Sequence, residues 1–175
     1  LSAYLFEGDT ARAVRYLVPV LSFALGVFVA ECIHRRFKHM EKIHWRQLIV
    51  LLEIVLLFAV GFLPQTINTF ANAVVSFVCA MQVQTFRKVH GYPFASTMCI
   101  GNLRSGTAAF SHYLQDKKTE QLKQAAYYFG IIFLFAIGAG LGGNLTEHFG
   151  IHMIWISCVL LVVSFLLMFE ERKER

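Results

Sequence analysis

Charged side chains are scarce in this chain. They make up 15% of its 175 residues, whereas hydrophobic residues make up 57%. Ordinary soluble domains carry about 25% charged residues. The shortage of charge therefore excludes an ordinary soluble domain and predicts an integral membrane protein.

Two further patterns are missing, and their absence indicates the type of membrane-spanning element. No segment alternates between polar and apolar residues over about ten positions, as the strands of a membrane β-barrel do. The chain has only three prolines, so little interrupts its apolar runs. A helix satisfies its own backbone hydrogen bonds in lipid and needs about 20 apolar residues to cross the hydrocarbon. We therefore predict an all-α integral membrane protein with five transmembrane helices, in windows at residues 16–32, 47–64, 67–86, 124–143 and 151–169.

Motifs of catalysis and of metal or cofactor binding are also missing. The four cysteines have no C-x-x-C spacing, and the seven histidines form no H-E-x-x-H pattern. His148 and His152 are four residues apart, but Gly150 lies between them near a helix start. The sequence contains no G-x-S-x-G, Walker or dinucleotide-binding loop. These absences predict a protein that is not an enzyme and that binds no metal or cofactor.

Basic residues lie almost entirely on one side of the predicted helices. Of the 16 Lys and Arg residues, 14 fall in the connection after the first helix, in that between the third and fourth, or at the C-terminus. The opposite side carries only Arg12 and Arg15. Because cytoplasmic loops are enriched in Lys and Arg, we predict a multi-pass protein of the cell membrane with a cytoplasmic C-terminus. Charges beside a membrane indicate contact with anionic lipid headgroups rather than with nucleic acid.

The stretch Ser96-Thr-Met-Cys-Ile-Gly-Asn-Leu-Arg-Ser-Gly106 interrupts the apolar pattern between the third and fourth helices. If it crossed the membrane, the last two helices would invert and their basic flanks would lie outside. We therefore expect residues 92–114 to form a re-entrant or interfacial Gly-Asn element on the cytoplasmic side. A helix break at Gly101 and Asn102 is predicted to be buried in protein or to line a wet cavity.

The chain contains a short internal repeat. Leu1-Ser-Ala-Tyr-Leu5 and Phe23-Ala-Leu-Gly26 resemble Phe110-Ser-His-Tyr-Leu114 and Phe135-Ala-Ile-Gly138, although chance similarity between apolar helices is an alternative. The predicted copies run in opposite directions through the membrane, as the inverted repeats of transporters do. Residues 1–66 are then the remainder of the first repeat, with its N-terminal helix missing, and residues 67–175 form the second. The expected complete architecture is a six-helix inverted repeat (3+3).

One segment carries a family resemblance. The run Ala80-Met-Gln-Val-Gln-Thr-Phe-Arg-Lys-Val-His-Gly91 and the following residues 96–105 resemble the C-terminal signature of the YoaK-like family. This is a family of small bacterial multi-pass membrane proteins grouped as a domain of unknown function. The resemblance covers essentially the whole chain and implies six helices, but it implies no activity. Ile100 stands where the family usually has threonine, so a hydroxyl that could bind a ligand or cap the break is absent.

Polar residues within or beside the apolar windows form the candidate site. Asn68 and Asn72 precede Gln82 at nearly helical spacing, which predicts a polar path along the third helix. Interhelical hydrogen bonding, a helix end at the Gly-Asn pair, and contact of the arginine with lipid headgroups are the structural alternatives. The candidate substrate-binding residues are Gln82, Gln84, Gly101, Asn102 and Arg104.

Three further features have a functional and a structural interpretation. Glu53 lies inside the second predicted helix, where a carboxylate indicates proton or ion coupling unless it reaches cytoplasmic water or a basic partner. Glu31, next to His34 and Arg35 at the end of the first predicted helix, is predicted to form an interfacial ion pair. Gly138 and Gly142 have G-x-x-x-G spacing, which indicates close helix packing, either within the chain or in a homo-oligomer.

The sequence favours a transporter or channel-like permease for a small polar or anionic solute. Inverted triplets place binding sites at broken helices near the bilayer midplane, and an arginine there selects anionic or polar groups. The alternative is a structural or regulatory membrane protein without transport activity.

Overall fold

A computed structural model describes residues 4, 6–38, 44–89, 91–94 and 99–173, and these residues are mostly helical. Each of the five predicted windows contains a helix, so the all-α architecture is confirmed. A two-stranded antiparallel hairpin, β1 (Lys88–Val89) and β2 (Tyr92–Pro93), precedes the fourth helix. The α-helices whose bounds the structure describes are α1 (Thr10–Phe37), α2 (Trp45–Val60), α3 (Asn68–Thr85), α4 (Cys99–Asp116), α5 (Thr119–Phe149) and α6 (Ile154–Lys173).

Two helical segments of the described chain are long and apolar enough to cross a membrane. They are Thr10–Phe37 and the nearly continuous run Thr119–Met168, and their apolar windows are only 11% and 6% buried. A core helix of a soluble protein would be mostly buried instead. The helix α2 has 16 residues, which corresponds to about 24 Å of length. Five transmembrane helices and the inverted repeat stay predictions.

The chain forms two compact units. The first comprises residues 1–85 and 149–175, and the second comprises residues 86–148. In the first unit, α1 packs along α3 more extensively than any other described pair of helices. Gly26 makes this approach possible, because a Cβ at this position would overlap the carbonyl oxygen of Phe77 and lie 2.8 Å from the Cβ of Ala80. Buried Ala30, one turn further along α1, packs with Ile49 of α2 and Met81 of α3.

The two ends of α2 are held by side chains. At the start, His44 Nδ1 accepts from the Arg46 amide at 3.3 Å, while the His44 amide donates to Gln47 Oε1 at 3.1 Å. This reciprocal pair is a capping box, which satisfies amide groups that lack helical partners. At the other end, Trp155 Nε1 donates to the Phe58 carbonyl at 3.3 Å. The indole fits there because Gly61 has no Cβ, which would overlap the indole ring.

The second unit joins the hairpin to α4 and α5. Tyr128 on α5 donates a hydrogen bond to the Pro93 carbonyl at 2.7 Å. A Cβ at Gly106 would lie 3.0 Å from the Cβ of Tyr128, so the glycine permits close packing of α4 on α5. Partial burial raises the pKa of the Tyr92 phenol, and the negative charge of Glu120 raises it further.

The predicted helix break at Gly101 and Asn102 is wrong. Both residues lie in the first turn of the continuous helix α4, which begins at Cys99. The first turn of a helix has amide groups without helical partners in any case, so residues with low helix propensity are tolerated there. Residues 96–98, at the start of the stretch singled out in the sequence, lie outside the described part of the chain. The side chain of Ile100 is 85% exposed.

Candidate functional site

Glu53 is the most unusual side chain of the first unit. It lies on the buried face of α2 between Val50 and Leu57, and its exposed fraction is 0%. Neither of its carboxylate oxygens has a hydrogen-bond partner among the described residues. An unpartnered buried carboxyl group is costly, and such groups occur preferentially where a protein binds or moves ions.

A cavity of about 370 Å³ lies beside this position, between α2, α3 and α6. Leu57, one helical turn after Glu53, lines it, and so does Cys79 of α3, whereas Glu53 itself is not among the lining residues. Gln82 lies on the same wall as Cys79, and α6 contributes the hydroxyls of Ser157 and Ser164. The cavity is therefore mainly apolar, with a few polar groups near a buried acid, as small-molecule sites usually are.

Gln84 does not line this cavity. Its side-chain amide donates to Glu31 Oε2 at 2.9 Å, and Arg35 Nε lies 3.2 Å from the other oxygen of the same carboxylate. The ion pair expected for Glu31 is confirmed. Gln84 thus connects α3 to α1. Of its two interpretations, substrate binding and interhelical hydrogen bonding, the structure shows the hydrogen bond.

Gly101, Asn102 and Arg104 belong to the second unit. Asn102 is 4% exposed and shares the buried face of α4 with Gly106 and Ala109 at helical spacing. Gly101 and Arg104 are exposed. Only Asn102 of the three therefore lies in the packed interior of its own unit.

The first unit contains a second cleft, whose lining residues the sequence pattern did not group together. It has a volume of about 640 Å³ and lies between the first half of α1 and the start of α3. Asn68 and Asn72 line this cleft, whereas Gln82 lines the smaller cavity. The polar path predicted along α3 stays a prediction: its asparagines and its glutamine line two different cavities, and Val75 lines both. The available signal in the sequence was the pair Arg12 and Arg15, the only Lys or Arg residues on the predicted outer side. Both line the cleft.

The small-residue face of α5 has no described neighbour. A Cβ added at Gly138 or at Gly142 would meet nothing within 4 Å among the residues that the structure describes. Close packing at these glycines within the described chain is therefore not observed. Packing between copies of the chain stays a prediction.

Metal-binding clusters are not found among the described residues, where no group of three or more His, Cys, Asp and Glu side chains comes together. His148 contacts the Asn144 carbonyl at 2.9 Å through Nδ1, and the ring of His152 packs edge-on against Trp155. Both histidines thus have structural contacts.

Comparison with known proteins gave one positive result. No curated protein and no solved structure matched the chain significantly. A protein family of unknown function matches residues 1–167, nearly the full length, in agreement with the resemblance to a domain-of-unknown-function family. The chain therefore belongs to the family described as "Protein of unknown function (DUF1275)".

Proposed function

We propose that the protein is a multi-pass membrane protein that acts as a transporter or channel-like permease for a small polar or anionic solute. Its exposed apolar helical segments support a membrane location, because contiguous exposed apolar surface of this extent is unusual in soluble monomers. The uneven distribution of basic residues supports a cytoplasmic C-terminus.

The observation that carries the transport proposal is the buried Glu53 beside the cavity that Gln82 lines. The Gln82 side chain has both a donor and an acceptor, so it can bind a polar group of a solute. Protonation of Glu53 removes a buried charge, and solute binding in the adjacent cavity would be coupled to that change. Arg104, on α4, is proposed to select anionic solutes.

A homo-oligomer is proposed as the working form. Gly138 and Gly142 present an exposed small-residue face with the spacing that lets two membrane helices approach closely. A second copy of α5 is the occupant that fits such a face.

Solute flux into proteoliposomes tests the transport proposal. Full-length protein would be compared with Glu53→Gln, Gln82→Leu and Arg104→Ala over a panel of inorganic anions, carboxylates, amino acids and sugars, with and without a pH gradient. Glu147→Gln and Gln115→Leu are matched controls, because both side chains are exposed. We expect Glu53→Gln to abolish the response to the pH gradient and Gln82→Leu to lower flux about tenfold, the effect of about 1.4 kcal/mol.

Two outcomes contradict the proposal in different ways. Flux that is the same in all three site variants and in the controls rejects the site residues. Absence of flux above protein-free liposomes for every solute favours the structural or regulatory alternative.

A further inference from the structure

The larger cleft of the first unit has walls of unusual composition. On α3, Asn68, Asn72 and Ser76 follow one another at four-residue spacing, so they form one polar face. On α1, Arg12, Arg15 and Pro19 form the facing wall. The helical repeat therefore brings two guanidinium groups opposite a row of amide and hydroxyl groups.

The charge of this cleft is not neutralised. Arg12 Nε lies 3.2 Å from Asp9 Oδ2, which makes Arg12 half of an ion pair. Arg15 has no carboxylate partner among the residues that the structure describes. No Asp or Glu is among the described residues that line the cleft. One positive charge is thus available to a ligand, and guanidinium groups bind carboxylates and phosphates with two parallel hydrogen bonds.

An aromatic wall lies beside the arginines. The rings of Tyr4 and Tyr16 stack with their centroids 5.5 Å apart and their planes 8° from parallel, and both line the cleft. The Arg12 guanidinium lies 5.8 Å from the centre of the Tyr4 ring. Such a surface accepts a flat or apolar body attached to the charged group.

The proposed topology places both arginines of the cleft on the outer side of the membrane. Arg12 and Arg15 are the only Lys or Arg residues on the predicted outer side, which the positive-inside rule leaves poor in Lys and Arg. The predicted orientation of the helices does not require arginines on the outer side, and both arginines line the same cleft. A ligand-binding role accounts for their position.

We propose that the cleft between α1 and α3 is a binding site for a small organic anion, a carboxylate or phosphate on a flat or apolar body, at the outer face of the protein. Arg15 binds the anionic group, Asn68 and Asn72 donate hydrogen bonds to it, and the two tyrosines contact the body. The cleft volume of about 640 Å³ lies within the range of small-molecule sites. The inference rests on the proposed function, whose topology gives the outer location, and it names the class of solute; binding itself requires no transport.

Equilibrium binding to the full chain in phosphatidylcholine nanodiscs tests this site. The probes are benzoate and phenyl phosphate, with benzamide as the neutral analogue of benzoate. We expect the two anions to bind and benzamide not to bind. Arg15→Gln should weaken anion binding about tenfold or more, because a charge-assisted hydrogen-bond pair is lost. Arg36→Gln is the matched control, since Arg36 is exposed at the opposite end of the same helix.

The source of the anion is distinguished in a second arm with phosphatidylglycerol in the nanodiscs. Displacement of benzoate by this lipid, together with less phosphatidylglycerol retained by Arg15→Gln than by Arg36→Gln, assigns the cleft to an anionic headgroup. Unchanged benzoate binding assigns it to a free anion. Circular dichroism would show whether Arg15→Gln folds normally. If it does not, Asn72→Leu provides an independent test of the site, because Asn72 is an exposed residue in the α3 wall of the cleft.

The proposal is overturned if benzamide binds as well as benzoate, if Arg15→Gln and Asn72→Leu both bind like Arg36→Gln, or if neither the two anions nor phosphatidylglycerol bind. Anion binding without flux of any solute would keep the site and reject transport. Flux without anion binding would reject the site and keep transport.

Discussion

Glu53 occupies a position on α2 whose neighbours at helical spacing are apolar. Sequence position alone placed it inside a span, but three interpretations were open: coupling, a salt bridge, and access to water. The structure gives it 0% exposure and no hydrogen-bond partner among the described residues. Burial depends on which helices pack against α2, and a single sequence does not specify those neighbours.

Replacement of Glu53 by leucine should stabilise the protein while it removes the response of transport to pH. Leucine has a similar size, and it avoids the cost of about 1–3 kcal/mol for a buried polar group without a partner. The free energy of unfolding, measured by denaturant titration in detergent, would rise in Glu53→Leu and stay unchanged in Glu147→Leu. A loss of stability in Glu53→Leu would show that the carboxyl group has a stabilising partner.

The spacing of Gln82 and Gln84 predicts that they face different sides of α3, but it does not predict which of them faces a cavity. They are two residues apart, so they point to different sides of α3. Which side faces a cavity depends on partners far away in sequence, such as Glu31, which is 53 residues from Gln84.

Gln84→Leu should lower the midpoint of thermal unfolding by about 2 °C and leave solute flux unchanged, because it removes an interhelical hydrogen bond outside the cavity. Gln82→Leu should have the reverse effect, with flux lost and the midpoint kept. Thermal scans and flux measured on the same preparations would check both. If Gln84→Leu abolished flux in a normally folded protein, its assignment as a structural contact would be wrong.

At the scale of secondary-structure elements, the helices were largely predictable. Their apolar runs are long and nearly free of proline, and each predicted window contains a helix. The continuity of α4 through Gly101 and Asn102 was not predictable, because the preference of Gly and Asn for helix ends holds at both ends of a helix. Here they lie in the first turn of α4, where the sequence reasoning expected an interruption.

Close packing of α1 on α3 depends on Gly26. Gly26→Leu should destabilise the protein by about 2 kcal/mol or more, because even the Cβ overlaps the α3 backbone at Phe77. Gly130→Leu is the matched control, since its Cβ meets no described atom within 4 Å and it lies outside the proposed interface between copies. Denaturant titration in detergent would measure both variants. Equal destabilisation would contradict the assigned contact of α1 with α3.

Substitution of a glycine in the proposed interface tests the homo-oligomer. If copies of the chain associate through Gly138 and Gly142, Gly138→Leu should reduce chemical cross-linking between copies in membranes, because larger side chains keep the helices apart. Gly130→Leu, at another open glycine of α5, should leave cross-linking unchanged. Equal cross-linking in all three proteins would exclude this face as the interface.

At the scale of the whole molecule, the predicted membrane topology rests on the distribution of Lys and Arg, and it can be tested without knowledge of the solute. In a chain whose native cysteines are replaced by serine, single cysteines at Thr66 and Thr146 should react with a membrane-impermeant maleimide in intact cells. Cysteines at Lys38 and Lys118 should react only after permeabilisation, because they lie on the basic side. The reverse pattern would invert the orientation and place the Arg12 and Arg15 cleft in the cytoplasm.

The tryptophans at the two ends of α2 can serve as intrinsic fluorescent probes. Trp45 begins this helix, Trp155 packs against its far end, and the chain has no other tryptophan. Trp45→Phe and Trp155→Phe would each leave one native fluorophore, at positions separated by roughly the 24 Å length of a 16-residue helix. Quenching by brominated lipids of graded depth would then locate both ends of α2 in the bilayer without an added label.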